Sequence, residues 1–281
     1  MSDTAFIVQY RKETVDGFEF GQSDLRTSVC TEVTIKGNQA VFLVADSGGA
    51  SASNRGVNGF IPARMDDLNQ YTTTLVEWHD LVRRTSFNIF ASQGDGRSIM
   101  QRTTRYVLNR KTDLDIMSAL ATGTNYIGTS AATMTLAMFV RARVVLGLNQ
   151  VPIQEIDNMY AVVSPAAMGY LLQLKEFNSS EIAEVKPLNG PARRFRRWNG
   201  FNVIEHPLVP GVGTNAETLF FYHRYAVGHA VNTGEMQALA GYHEEQDYSW
   251  ARTTAYMGST LLQNRGVVLV RHDGSAYVAT S

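Results

Sequence analysis

One helical period runs from Arg97 to Thr122. Apolar or tolerant residues recur there at Ile99, Thr103, Tyr106, Val107, Leu114, Met117 and Leu120. Those steps of three, four and seven predict an α-helix. At ~1.5 Å per residue it runs roughly 39 Å. "SQGDGRS" (92–98) supplies the start, with Asp95 or Ser98 as N-cap, and Gly123 is the C′ candidate. Lys111 and Asp115 are spaced to pair at i,i+4, and Arg110 and Asp113 at i,i+3. A second, polar stripe holds Ser98, Arg102, Arg105 and Asn109. A chain that holds so long a beam must place other elements along it.

The flanking segments predict β structure. "CTEVTIKGNQAVFLVAD" (30–46) and "YTTTLVEWHDLVRRTSFNIFAS" (71–92) are rich in β-branched and aromatic residues, and "KGN" marks a turn. The Gly/Ser/Asn-rich stretch 47–67 between them makes a long hairpin. A loop of that length is usually functional or disordered. "MTLAMFVRARVVLGLNQ" (134–150) is apolar almost all round and reads as a buried helix. "MYAVVSP" (159–165) reads as a buried strand and 166–177 as a helix. Segments 201–207, 217–231, 248–262 and 265–273 close the chain as strands. Residues 1–28 carry Phe6, Tyr10, Phe18 and Phe20 without a persistent period. They read as an arm that needs a partner surface, or as a frayed terminus.

Charged residues make up 18% of the chain, below the usual quarter. Part of the surface is then covered by other subunits, unless the chain is simply deeply globular. The net charge of −1 gives no global pull toward nucleic acid or membrane. The cations are 20 Arg and 5 Lys. Arg is the preferred cation of interfaces, although GC-rich coding produces the same bias. The single Cys30 excludes an internal disulfide and a cysteine-based zinc site. The N-terminus lacks a signal-peptide apolar core, and no run of about 18 apolar residues exists. Synthesis and use in the cytoplasm are expected.

No motif carries catalysis. His243-Glu244-Glu245 lacks the second histidine of a zinc-protease helix, with Asp247 in its place. "GVGTNA" (211–216) matches a dinucleotide fingerprint in letters but sits between β-rich segments. "ARRFRRWNG" (192–200) sets four arginines around Phe195 and Trp198. It fits a nucleic-acid contact, a subunit interface, or a solvated loop with one buried Trp.

The order of elements resembles the major capsid proteins of tailed bacteriophages, the fold first defined in phage Hong Kong ninety-seven. "SDLRTSVCTEVTIKGNQAVFLV", "NRKTDLDIMSALATG" and "WARTTAYMGSTLLQNRGVVLVRHD" look like that family's arm-to-loop junction, spine-helix end and closing strands. The resemblance implies an α+β fold: N-terminal arm 1–28, extended hairpin or E-loop 29–92, P-domain 93–150 with the spine helix, A-domain 151–240, and return strands 241–281. It implies homo-hexamers and pentamers closing an icosahedral shell around double-stranded DNA. The implied partners are a separate scaffolding protein, a portal protein and a decoration protein. It implies no enzyme activity, no cofactor, no metal and no membrane, with assembly in the host cytoplasm and residence in the virion.

The interface candidates are then Phe6, Tyr10, Arg55, Phe60, Arg64, Arg193, Arg194, Arg196, Arg197 and Trp198. Arg102 and Arg105 are the DNA-facing candidates, unless they pair with a neighbour's carboxylates. Some family members cross-link through an E-loop lysine. This chain has no lysine between Lys36 and Lys111, which implies a noncovalent shell. An encapsulin-type nanocompartment shell has the same fold but opens with an amphipathic cargo helix that is missing here. A soluble metal-dependent enzyme using His243, Glu244 or Glu245 is the other alternative.

Overall fold

The computed structural model describes residues 22–32, 35, 37–47, 50–55, 59, 61, 67–91, 96–175 and 196–277. In chain order the first strands are β1 (Cys30–Glu32), β2 (Gln39–Asp46), β3 (Asp67–Thr74), β4 (Val76–Thr85) and β5 (Tyr126–Gly128). They are followed by β6 (Met159–Val163), β7 (Arg196–Trp198), β8 (Phe201–Glu205), β9 (Glu217–His223), β10 (Val227–His243), β11 (Tyr248–Leu261) and β12 (Val267–His272). The helices are α1 (Ser86–Ala91), α2 (Gly96–Leu120), α3 (Leu136–Leu148) and α4 (Pro165–Gln173).

The helical period becomes α2, 25 residues long. It lies on a four-stranded sheet of order β1-β10-β11-β4. Strand alternation on β11 buries Ala251, Thr253, Ala255 and Met257. Thr104 Oγ1 meets Thr253 Oγ1 at 2.9 Å, and Thr112 Oγ1 donates to Met257 Sδ at 3.3 Å. Lys111 does not reach for Asp115. Its Nζ sits 3.8 Å above the Trp78 ring, a cation–π contact with β4. Gly123 lacks the left-handed φ of a C′ glycine. It is needed for close packing instead, since a Cβ would lie 3.1 Å from Leu269 Cδ1.

The second sheet has six strands in the order β5-β12-β9-β6-β8-β7. Its centre is buried: all five residues of β6 lie in the core. α3 packs on it through Phe139, whose ring stands edge-on to Trp198 (4.5 Å), Phe221 (4.9 Å) and Phe201 (5.5 Å). The sheet covers only one side of α3. Phe139, Ala142 and Leu146 are buried, while Val144 and Leu148 are 51% and 78% exposed. This corrects the expectation of a helix buried all round. The strand read from 159 stops at Val163. Ser164 caps the next helix by accepting from Ala167 N (3.0 Å), and Pro165 is its first residue.

β2 and β3 form a separate antiparallel ribbon, registered from Gln39↔Thr74 to Asp46↔Asp67. The single strand read over 71–92 is broken at Leu75, whose N–H donates to Asn38 O (2.8 Å). The ribbon is rooted by Phe42 and Ala40 against Ala230 and Leu262. Phe42 lies flat on Gly228, where a Cβ would come within 2.9 Å of the ring. The boundary set at 240/241 falls inside β10, and β12 pairs with β9 in the six-stranded sheet.

Candidate assembly surfaces

The ribbon exposes one apolar face. Phe42 points to the sheet, so period-two geometry turns Val41 and Leu43 outward, at 53% and 59% exposure. Leu68, opposite Ala45 in the register, is also exposed. A two-stranded ribbon is marginal without further packing. An apolar face on such a ribbon is suited to cover by another chain.

α2 offers a different surface. Its cations are Arg97, Arg102, Arg105, Arg110 and Lys111, and its only acids are Asp113 and Asp115. Both acids turn into the protein. Asp115 Oδ2 accepts from Ser259 Oγ at 2.6 Å. Arg105 is exposed and Arg102 half-buried.

Asp113 forms a buried lock that the sequence reading missed. Its Oδ1 accepts from Ser23 Oγ (2.5 Å) and Leu25 N (3.1 Å). Its Oδ2 accepts from Asp24 N (3.2 Å) and His206 Nε2 (3.3 Å). Both side chains of the Asp113–His206 pair have no exposed surface. His206 Nδ1 accepts from Leu208 N (3.1 Å), which places the imidazole proton on Nε2. The lock ties the 23–25 turn, α2 and the exit of β8 together. Asp24, Asp113 and His206 are also close enough to share a cation. The proton on Nε2 and the four donors on Asp113 fill those positions, so hydrogen bonding explains the cluster.

A second buried chain of groups runs through His229 on β10. Ser259 Oγ gives its proton to Asp115, so it accepts from His229 Nδ1–H at 2.9 Å. Burial first, and then Arg26, push the His229 pKa down to about 4, against a weaker pull from Asp113. The unfolded chain therefore takes up a proton between pH ~6.5 and ~4 that the folded chain refuses. Stability from this group is full above pH ~6.5 and is lost as pH falls toward 4. The loss is on the order of 3 kcal/mol. Burial lowers His223 too, in the same direction. Urea unfolding at pH 7 and 4.5 measures this, and His229→Gln should shrink the difference. An unchanged difference in that variant refutes the assignment.

The predicted interface residues separate under the structure. Trp198 is 4% exposed, and it packs on Phe139 as a core residue. The interface candidate Trp198 is therefore buried within its own chain, in β7. Arg197 is bound within the chain, by Asp157 and by Asn202 Oδ1 (3.2 Å). Arg196 lies in β7, and Arg55 is exposed in the irregular stretch 50–55. Phe6, Tyr10, Phe60, Arg64, Arg193 and Arg194 lie outside the described residues. His243 stacks on Tyr248 at 5.1 Å, beside the β10–β11 turn that carries Glu244 and Glu245. Cys30 is a free thiol, half-buried on β1, with its pKa raised mainly by burial. Among the described residues no helix is long and apolar enough to cross a membrane.

The fold is shared with solved shells. The capsid of Ralstonia phage GP4 matches with TM-score 0.71 at 13% identity, over 96% of each chain. The capsid of a native GTA particle matches with TM-score 0.70 at 14% identity, over 96% of each chain. The capsid of Cyanophage P-SCSP1u matches with TM-score 0.70 at 12% identity, over 95% of this chain and 93% of that one. No curated protein matches. At such identities these structures establish the fold alone. The family described as phage capsid protein matches residues 3–274, nearly the whole chain. The chain therefore belongs to the phage capsid protein family and is a structural protein of the phage shell.

Proposed function

We propose that the chain, as the major capsid protein, assembles into hexamers and pentamers that close an icosahedral shell around double-stranded DNA. In this reading α2 and the four-stranded sheet form the P-domain, and the six-stranded sheet forms the A-domain. The ribbon is the E-loop, and it lies across a neighbour with Val41 and Leu43 covered. The observation that carries the reading is this ribbon, which projects an apolar face from a chain of the capsid family. The arm reaches a neighbour in the same way. A separate scaffolding protein directs assembly in the host cytoplasm, a portal protein occupies one vertex, and a decoration protein binds the finished shell. The protein performs no enzymatic step.

The cationic stripe of α2 supports an inner-wall position for Arg102 and Arg105. Arginines near packaged DNA act through salt-dependent counterion release, without sequence preference. Negative-stain microscopy of the chain, alone and with co-expressed scaffolding and portal proteins, tests the reading. Closed shells are expected, running after denaturation as one band near 31.1 kDa. A protein that stays monomeric with every partner overturns it, and a ladder of covalent oligomers overturns its noncovalent form. The Arg102→Gln/Arg105→Gln chain should still close shells, while filled particles release DNA at lower temperature. If that chain fails to assemble, the two arginines are interface residues.

A further inference from the structure

A cavity of about 480 Å³ opens between α2, the four-stranded sheet and the turn at residues 22–27. That size lies within the range of pockets that enclose small ligands or side chains. Its walls include Arg26 and Arg224 on one hand, and Leu108 and Met257 on the other. Neither guanidinium has a carboxylate partner among the described residues. The nearby acids are already used, Asp113 by its four donors and Asp115 by Ser259. His229 also lines the cavity, and its Nε2 has no hydrogen-bond partner among the described residues. The site is thus cationic, half apolar and concave. A DNA duplex is too wide to enter it. A peptide that carries carboxylates beside apolar rings suits it on both counts.

The chain contains such a peptide. Val15-Asp16-Gly17-Phe18-Glu19-Phe20 interleaves two acids with two aromatic rings. We propose that this cavity is the receptor for residues 15–20 of a second copy of the chain. The inference rests on the reading that the arm lies across a neighbour, and it names where the arm lands. Arg26 and Arg224 hold the carboxylates of Asp16 and Glu19 as charge-assisted pairs. Leu108 and Met257 receive a phenylalanine ring, with the thioether against its edge. Because the acids come from another copy, the contact repeats from subunit to subunit.

Charge exchange in the full-length chain tests this. One variant reverses the cavity (Arg26→Glu, Arg224→Glu), and another reverses the arm (Asp16→Arg, Glu19→Arg). Each alone should reduce shell yield about tenfold or more, since like charges then meet at every contact. All four substitutions in one chain should restore assembly, which also shows that the reversed cavity folds. Mixing the two single-site variants should restore it as well, because each supplies what the other needs. Recovery in the four-substitution chain without recovery in the mixture places each arm in its own cavity and overturns the second-copy assignment. Full yield from either variant alone, or no recovery in either combination, overturns the site. As a second measurement, a synthetic peptide of residues 13–21 added to unmodified chain should slow assembly. The same peptide with Asp16→Asn and Glu19→Gln should lose that effect, and equal slowing by both counts against the charge pairing. Unmodified chain that forms no shells with any co-expressed partner overturns the shell reading itself, a result separate from all of these.

Discussion

Asp113→Ala should destabilise the protein by about 3–5 kcal/mol, the range for removing one partner from a buried charged network. Four donors lose their acceptor together: Ser23 Oγ, the Asp24 and Leu25 amides, and His206 Nε2. The Leu25 amide and His206 Nε2 cannot turn to water easily, because Leu25, Asp113 and His206 have no exposed surface, whereas Ser23 and Asp24 are half-buried. Each buried donor left unpaired costs about 1–3 kcal/mol. In a chain of this size 1 kcal/mol moves the midpoint by about 2–4 °C, so the melting temperature should drop by about 10 °C. Asp113→Asn keeps one acceptor oxygen and should cost less than half as much. Calorimetry of the three proteins decides the matter. An Ala variant that melts within 2 °C of the parent would mean that the lock adds nothing.

The second large effect is on assembly alone. Val41→Asp with Leu43→Asp should leave the melting temperature of the isolated chain unchanged and abolish shell formation. Both side chains are more than half exposed, and the opposite ribbon face, with Phe42, holds the root. In a shell each would be covered, and burying a side chain of this size is worth about 1.5–3 kcal/mol. That contribution is lost twice per subunit and replaced by the cost of enclosing two carboxylates. Sedimentation and microscopy read the outcome. Normal shells from this variant would remove the ribbon from the list of subunit contacts.

These two sites differ in how far the sequence disclosed them. The ribbon was legible because enrichment in β-branched and aromatic residues on both sides of a Gly/Ser/Asn-rich loop is a local signal. α2 was legible as a helix, but its inward face was not: Met100, Thr104, Leu108 and Ile116 are buried, while Val107 and Leu114 of the stripe read from the sequence are exposed. Nor was Asp113 legible. Its spacing from Arg110 suits a surface pair, and nothing local announces a turn some ninety residues away that supplies its donors. Trp198 misled for a related reason: four arginines around it look like a surface, yet the period-two geometry of β7 sends the indole inward to Phe139. α3 erred in the other direction. Its composition is that of a buried helix, and only the single covering sheet leaves Val144 and Leu148 open. The meeting of β12 with β9 is long-range pairing that composition does not encode.

The seat of Phe42 on Gly228 has a mechanical consequence. The ring rests on the bare backbone of Gly228, with Ala230 and Leu262 beside it, so no side chain at position 228 keys it in place. Beyond the seat, β2 runs four more residues to Asp46, a lever of roughly 13 Å at ~3.3 Å per residue. A ten-degree tilt about that seat carries the Asp46 end through about 2 Å, by the same length. The two sheets need not deform for this to happen. One subunit can thus present its lever at different pitches to neighbours set at different angles, as a curved wall built from a single part requires.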